Sequence, residues 1–200
     1  MITANQQNRF FNFFNYRLAG SVLEIDNNER DIKFMREAIK EAYKAAAKLE
    51  VPVGAVVVQG EQVIARGHNL REGLGDPTAH AEMLALREAA FRLGSWRLNG
   101  CTLYVTMEPC PMCAGAAIQA RLDRIVFGAY DPKAGAAGSC VDLLGESCFN
   151  HQVEVTGGVL KEKCAQILQN FFKKLRSGEL PDDSTVQERE AGCYPGPDGE

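Results

Sequence analysis

Apolar residues recur at steps of three and four through Ile32, Met35, Ile39, Ala42, Ala46 and Leu49. That spacing lines one face of a helix and predicts an amphipathic helix over 29–49, ended by Pro52. The next stretch, VGAVVVQGEQVIARGHN, changes period. Two apolar, β-branched runs flank Gly60, which predicts a hairpin. The first run is continuously apolar, as expected of a central strand covered on both faces. In DPTAHAEMLALREAAFRLG a helical pattern returns through Met83, Leu84, Leu86, Ala90, Phe91 and Leu93, and Gly94 stops it. A strand over 102–106, a helix over 111–121 and a strand over 124–128 follow. AGAAGS, residues 134–139, has no period and reads as a flexible loop. Residues 152–156 alternate as a strand, and 162–176 close the pattern as a helix. Strands alternating with helices imply an α/β sandwich, a mixed sheet with helices on both faces.

The two ends do not share this pattern. Residues 1–28 are rich in Asn and Phe and read as a variable N-terminal extension rather than a targeting segment. Residues 177–200 are polar, acidic and Pro- and Gly-bearing, the composition of a disordered tail. A single domain over 29–176 lies between them. The formal net charge is −4, which argues against a nucleic-acid partner, but residues 179–200 carry seven acids and one base. The body of the chain is therefore mildly basic, and the tail supplies the acidity. No run approaches the roughly 18 apolar residues of a membrane span. Seven cysteines, an odd number, and no secretory leader point to a cytoplasmic protein with reduced thiols.

In that setting the stretch TLYVTMEPCPMCAGAAI, residues 102–118, poses a question. Cys110 and Cys113 could be a redox pair, half of a structural zinc site, or two ligands of a catalytic metal. A structural site would need two more ligands, usually a second close pair, and Cys140 and Cys148 are too widely spaced. The chain has three histidines, His68, His80 and His151. His80 stands in His80-Ala81-Glu82 at the start of the helix before the cysteine strand. One His and two Cys would leave the fourth position of a tetrahedral zinc free for water, as a catalytic zinc requires. Pro111 suits a first helical turn, which places Cys110 and Cys113 at a helix N-terminus that favours thiolate. Glu82 lies two residues from His80, off its helical face, so it can serve as a general acid and base rather than a ligand. H-x-E followed by P-C-x-x-C is the signature of the zinc-dependent nucleobase deaminases.

Beyond that signature the chain resembles the bacterial tRNA-specific adenosine deaminases. The likeness runs through VPVGAV (51–56), GHN (67–69), DPTAHAEMLALR (76–87), TLYVTMEPCPMCAGA (102–116) and RIVFGAYDPKAGAAGS (124–139), and spans roughly residues 30–176. It implies a three-layer α/β/α cytidine-deaminase-like fold with a five-stranded mixed sheet, and a homodimer with one Zn2+ per subunit. It implies conversion of the wobble adenosine of a tRNA anticodon to inosine. Hydroxide generated at the zinc would attack adenine C6, with Glu82 shuttling the proton. His80, Cys110 and Cys113 would hold the metal. Asn69 would hydrogen-bond the nucleoside, Val53 and Ala81 would belong to the base pocket, and Asp131 would contact the anticodon loop. Asn150 and His151 would meet flanking nucleotides, and Phe172 and Lys173 belong to the basic, aromatic closing helix. Arg121, Arg124, Lys133, Lys173, Lys174 and Arg176 could cradle phosphates of an unstacked loop.

Several of these residues have plainer readings. Asn69 and Asp131 are also turn formers, and His151 also suits a surface or core position. Phe171 and Phe172 also suit a core or a dimer contact, and Lys173, Lys174 and Arg176 complement a helix C-terminus. Glu108 suits a structural role beside the zinc loop. The alternative function with the same zinc site is deamination of a free base or nucleoside, of guanine or cytosine type. A zinc-stabilised binding module without turnover is the rival outside enzymes.

Overall fold

The computed structural model describes residues 20–180, so most of the N-terminal extension and the acidic tail fall outside the described residues. The chain runs through α1 (Gly20–Ala47), β1 (Gly54–Gln59), β2 (Gln62–His68), a single turn α2 (Arg71–Leu74), α3 (Ala81–Leu93), β3 (Cys101–Met107), α4 (Pro111–Gln119), β4 (Arg124–Ala129), β5 (Glu154–Thr156) and α5 (Lys161–Arg176).

The five strands form one mixed sheet in the order β2-β1-β3-β4-β5. β1 is antiparallel to β2 and β3, while β3, β4 and β5 run parallel. The expected central strand is thus an inner one, and β3 holds the middle. Alternation along the strands sorts the core into two layers. Val56 and Val58 of β1, Tyr104 of β3 and Val126 of β4 pack with Phe34, Met35, Ala38, Ile39, Cys164 and Ile167 of α1 and α5. Ala55, Val57, Leu103, Val105, Ile125 and Phe127 face the other way, onto α3 and α4. The result is the three-layer α/β/α arrangement of the cytidine-deaminase-like fold.

Three local details depart from the pattern reading. α1 does not wait for Pro52: Glu50 N–H donates to Ala45 O and Leu49 N–H to Ala46 O, both at 3.1 Å, with Leu49 left-handed at φ 63°. This is a Schellman turn, built without the usual glycine and so unmarked in the sequence. At its other end the helix begins at Gly20, ahead of the apolar period, because no proline or glycine interrupts 21–47. Phe91 lies on the outer face of α3 and is 84% exposed, since the buried positions are 81, 82, 85, 86 and 89.

Arg124 is not available to phosphates. Its guanidinium grips Asp31 of α1 through two 2.8 Å hydrogen bonds and also donates to Thr156 Oγ1 at 2.8 Å. Tyr104 OH donates to the same Asp31 carboxylate at 2.9 Å. The network ties α1 to β3, β4 and β5, and breaking one partner would strand a buried charge.

Register explains where chemistry collects. Ala55 pairs with Val105 and Gly54 with His68, while Met107 pairs with Ala129. The start of β1 and the ends of β2, β3 and β4 therefore meet at one edge of the sheet, the carboxyl edge of its parallel half, where open α/β sheets carry their ligands. Gly67 lets α3 sit close there: a Cβ at 67 would collide with the Ala81 carbonyl and press on the Ala85 amide.

Candidate metal centre and active site

Two helices start at this edge. Asn69 follows β2, and its N–H donates to Val53 O at 3.1 Å. Its side-chain Oδ1 accepts the first amide of α3, Ala81 N–H, at 2.9 Å. His80 holds the N-cap position in extended conformation and makes no cap bond with its own ring. Asn69 thus does the capping that His80 does not, which frees the imidazole for other partners. At α4 the extended Cys110 is the N-cap, Pro111 takes the first turn, and Cys113 lies three residues on, hence on the same face.

The donors of these residues form a nearly equilateral triangle. Cys110 Sγ and Cys113 Sγ are 3.7 Å apart, and His80 Nδ1 is 3.7 Å from the first and 3.6 Å from the second. A tetrahedral zinc with Zn–S of about 2.3 Å and Zn–N of about 2.0 to 2.1 Å needs edges of about 3.8 Å between sulfurs and about 3.5 to 3.6 Å from sulfur to nitrogen. The triangle fits that ion. Among the described residues it is the one cluster of three or more such donors able to hold a metal. Its protonation is biased the same way. The Cys110 thiol is pushed down to about 4, first by the hydrogen bond from Cys113 and then, against burial, by His80. The Cys113 thiol is pushed up by its hydrogen bond to Cys110 and by burial. The His80 imidazole is raised chiefly by its hydrogen bond to Cys110, with burial opposing. A cation entering the triangle displaces these protons.

A cavity of about 170 Å3 opens on the triangle, lined by Val51, Val53, Asn69, Arg71, His80, Glu82, Met107, Glu108, Cys110, Asp131 and Ala134. Glu82 is 4% exposed and stands outside the donor triangle. Burial pushes its carboxyl up to about 7, against the pull of its own backbone N–H and of the His80 charge. A carboxyl that exchanges a proton near neutrality is suited to general acid–base work.

Glu108 shapes the far wall. Its carboxylate accepts Asp131 N–H at 2.9 Å, Ala137 N–H at 3.0 Å and Ser139 N–H at 3.1 Å. Burial opposes its ionisation, but hydrogen bonds from Ser139 and from the backbone amides of Asp131, Ser139 and Ala137 outweigh it and hold the carboxyl below the usual range. The segment 134–139 is therefore no free loop but one gathered on a buried carboxylate. Glu108→Ala is expected to lower the unfolding free energy by about 2 to 3 kcal/mol, since it leaves amides unmatched. Urea denaturation measures that loss, and hydrogen exchange should speed up selectively at residues 131–139.

Of the residues singled out in the sequence, Val53, Asn69, His80, Glu82, Cys110 and Asp131 line the cavity, and Cys113 completes the triangle behind them. Ala81 is fully buried and presents its amide to Asn69. Asn150 and His151 lie outside the lining; His151 Nε2 donates to Leu122 O at 2.6 Å. Phe172 and Lys173 are exposed on α5, whose core contacts are on the sheet face opposite α3 and α4. Of the other lining residues, Val51, Met107, Glu108 and Ala134 fall within the stretches that carry the family likeness, and only Arg71 lies outside them. Arg71 directly follows GHNL, and its proximity to the quoted GHN was the one available signal.

A family model for MafB19-like deaminases matches residues 29–176. The tRNA-specific adenosine deaminase of Bacillus subtilis (strain 168) is 56% identical over 147 residues, covering 74% of this chain and 91% of that protein. A solved structure from studies of A-to-I editing by tRNA:A34 deaminases at the wobble position of transfer RNA superimposes with a TM-score of 0.66 at 45% identity. It covers 68% of this chain and 99% of that one. A guanine deaminase from Nitrosomonas europaea shares the fold, with a TM-score of 0.62 at 24% identity over 70% of this chain and 83% of that one.

Proposed function

The chain belongs to the tRNA-specific adenosine deaminases, inside the MafB19-like deaminase family, and we propose that it hydrolyses the wobble adenosine of a tRNA anticodon to inosine. The observation that carries this reading is a three-donor zinc triangle beside a buried carboxylate that is not one of its donors.

His80, Cys110 and Cys113 would hold Zn2+. When bound, the ion lowers the pKa of water toward about 7 and so supplies a nucleophile at neutral pH. Glu82 takes a proton from the attacking water and passes it to N1 of the adenine as the oxygen bonds to C6. It then carries the proton of the new C6 hydroxyl to the amino nitrogen as the C6–N bond breaks, releasing ammonia and leaving the carbonyl of inosine. Val53 and Met107 close the cavity around the base with apolar surface. Asn69 has its Oδ1 committed to Ala81, and its Nδ2 makes no hydrogen bond among the described residues, so it is free to donate to the nucleoside. Asp131, held in place through its backbone by Glu108, faces the loop beyond the base.

The proposed enzyme is a homodimer, and Asn150, His151, Phe172 and Lys173, which lie off this subunit's cavity, are kept as contacts to the RNA beyond the reacting base. The cytoplasm, where such a tRNA is found, is the matching compartment. No helix among the described residues is long and apolar enough to cross a membrane.

Incubation with a transcript whose anticodon begins with A, followed by nucleoside mass analysis, should reveal inosine at that position. Guanine, cytidine and adenosine offered in parallel should remain unchanged. Turnover of a free base or nucleoside with the tRNA left intact would overturn the assignment.

A further inference from the structure

We propose that Arg71 forms a phosphate subsite at the mouth of the cavity, engaging the sugar–phosphate backbone next to the base being deaminated. The proposal rests on the RNA-editing reading and deepens it. At about 170 Å3 the cavity is well below the roughly 300 to 1,000 Å3 that encloses drug-sized ligands. A base can enter, and the rest of its nucleotide must stay at the rim.

Arg71 is the cation on that rim. It lines the cavity and is exposed. Two other exposed arginines, Arg66 and Arg92, are paired with Glu37 and Glu88 and do not line the cavity. Arg71 makes no ion pair or side-chain hydrogen bond among the described residues. The nearby acid, Asp131, accepts Lys133 N–H at 3.0 Å and forms no ion pair with it.

The backbone beneath Arg71 is fixed on both sides. Leu70 N–H donates to Ala79 O at 3.1 Å, Asp76 N–H to Arg71 O at 3.2 Å, and Gly73 N–H to the buried Glu50 carboxylate at 2.7 Å. The same segment begins at Asn69 and ends at His80, so the position of Arg71 is coupled to that of the reacting base. A free guanidinium on a braced turn, two residues from the nucleoside-facing Asn69, matches the planar, bidentate demand of a phosphodiester. A free base or nucleoside would give it nothing to bind.

The test uses an anticodon stem-loop that already carries inosine at the wobble position, so that binding is read without turnover. Fluorescence anisotropy is recorded over a range of salt concentrations for the zinc-loaded wild type, Arg71→Ala and Arg71→Lys. Arg71→Ala should bind roughly tenfold more weakly. Its plot of log affinity against log salt should be shallower by about 0.7 to 0.9, the signature of one lost phosphate contact. Arg71→Lys should restore the slope and only part of the affinity. With the adenosine stem-loop, the loss in Arg71→Ala should fall on KM rather than kcat. Unchanged affinity and slope in Arg71→Ala would overturn the subsite, as would a kcat loss with KM and slope intact. Wild type that binds RNA but forms no inosine would refute the editing reaction alone, and the slope comparison would still decide on Arg71. Wild type that binds no RNA would refute both.

Discussion

Glu82→Gln should lower kcat by about 10² to 10⁴, the range general acid–base catalysis contributes, while zinc content stays at that of the wild type. Glutamine keeps the size and planar shape of the side chain and loses only the ability to carry a proton. Because Glu82 is almost fully buried, its carboxyl is held up near 7 by desolvation, and the fold bears the strain of that buried acid. Removing the ionisable group should leave the melting temperature equal or higher, a stability–activity trade common at catalytic positions. Inosine formation, metal analysis and a thermal melt on one preparation decide the matter together. Zinc lost along with activity would make Glu82 a ligand and overturn its assignment as the proton carrier.

Cys113→Ala should have the larger effect on turnover. The variant is expected to purify without stoichiometric zinc and to lose more than about 10⁴-fold in activity, because an unactivated water is a very poor nucleophile at neutral pH. The chain should nevertheless remain folded by circular dichroism. Its two core layers are built from α1, α5, α3, α4 and the sheet, and the starts of α3 and α4 are fixed by Asn69 and by Pro111. A catalytic zinc differs here from a structural one, whose loss unfolds the domain. Added zinc should raise the melting temperature of metal-stripped wild type and leave that of Cys113→Ala unchanged. Global unfolding of Cys113→Ala would favour a zinc-stabilised module over an enzyme.

Much of this arrangement was legible in the sequence because it is carried by period and spacing. The unbroken apolar run in VGAVVVQ and the three- and four-residue steps of α1 are local properties, and so is the pairing of Pro111 with Cys110 and Cys113 at a helix start. What escaped depends on contacts between distant residues. Nothing local marks Leu49 as a left-handed helix end. The apolar Phe91 counts toward a helical period without revealing which face is buried. AGAAGS looks unconstrained until Glu108, more than twenty residues earlier, is seen accepting its amides. Arg124 looks like any basic residue until Asp31, on another layer, claims it. Asn69 has the sharpest ambiguity: its Oδ1 serves the structure by capping α3, while the proposed contact to the nucleoside would fall to the Nδ2 of the same amide.

Gly67 does not line the cavity, yet its bare backbone lets α3, and with it His80 and Glu82, lie close against the sheet. α3 rests directly on the strand at that point, and the helix carries both His80 and Glu82 at its first turn. Any side chain at 67 would act as a wedge, lifting His80 and Glu82 together relative to Val53 and Met107, which belong to the sheet edge. Tolerance for a larger or smaller base is therefore a property of the spacing between two backbones. Efforts to retune this enzyme for other bases that vary only the pocket wall would leave that spacing untouched.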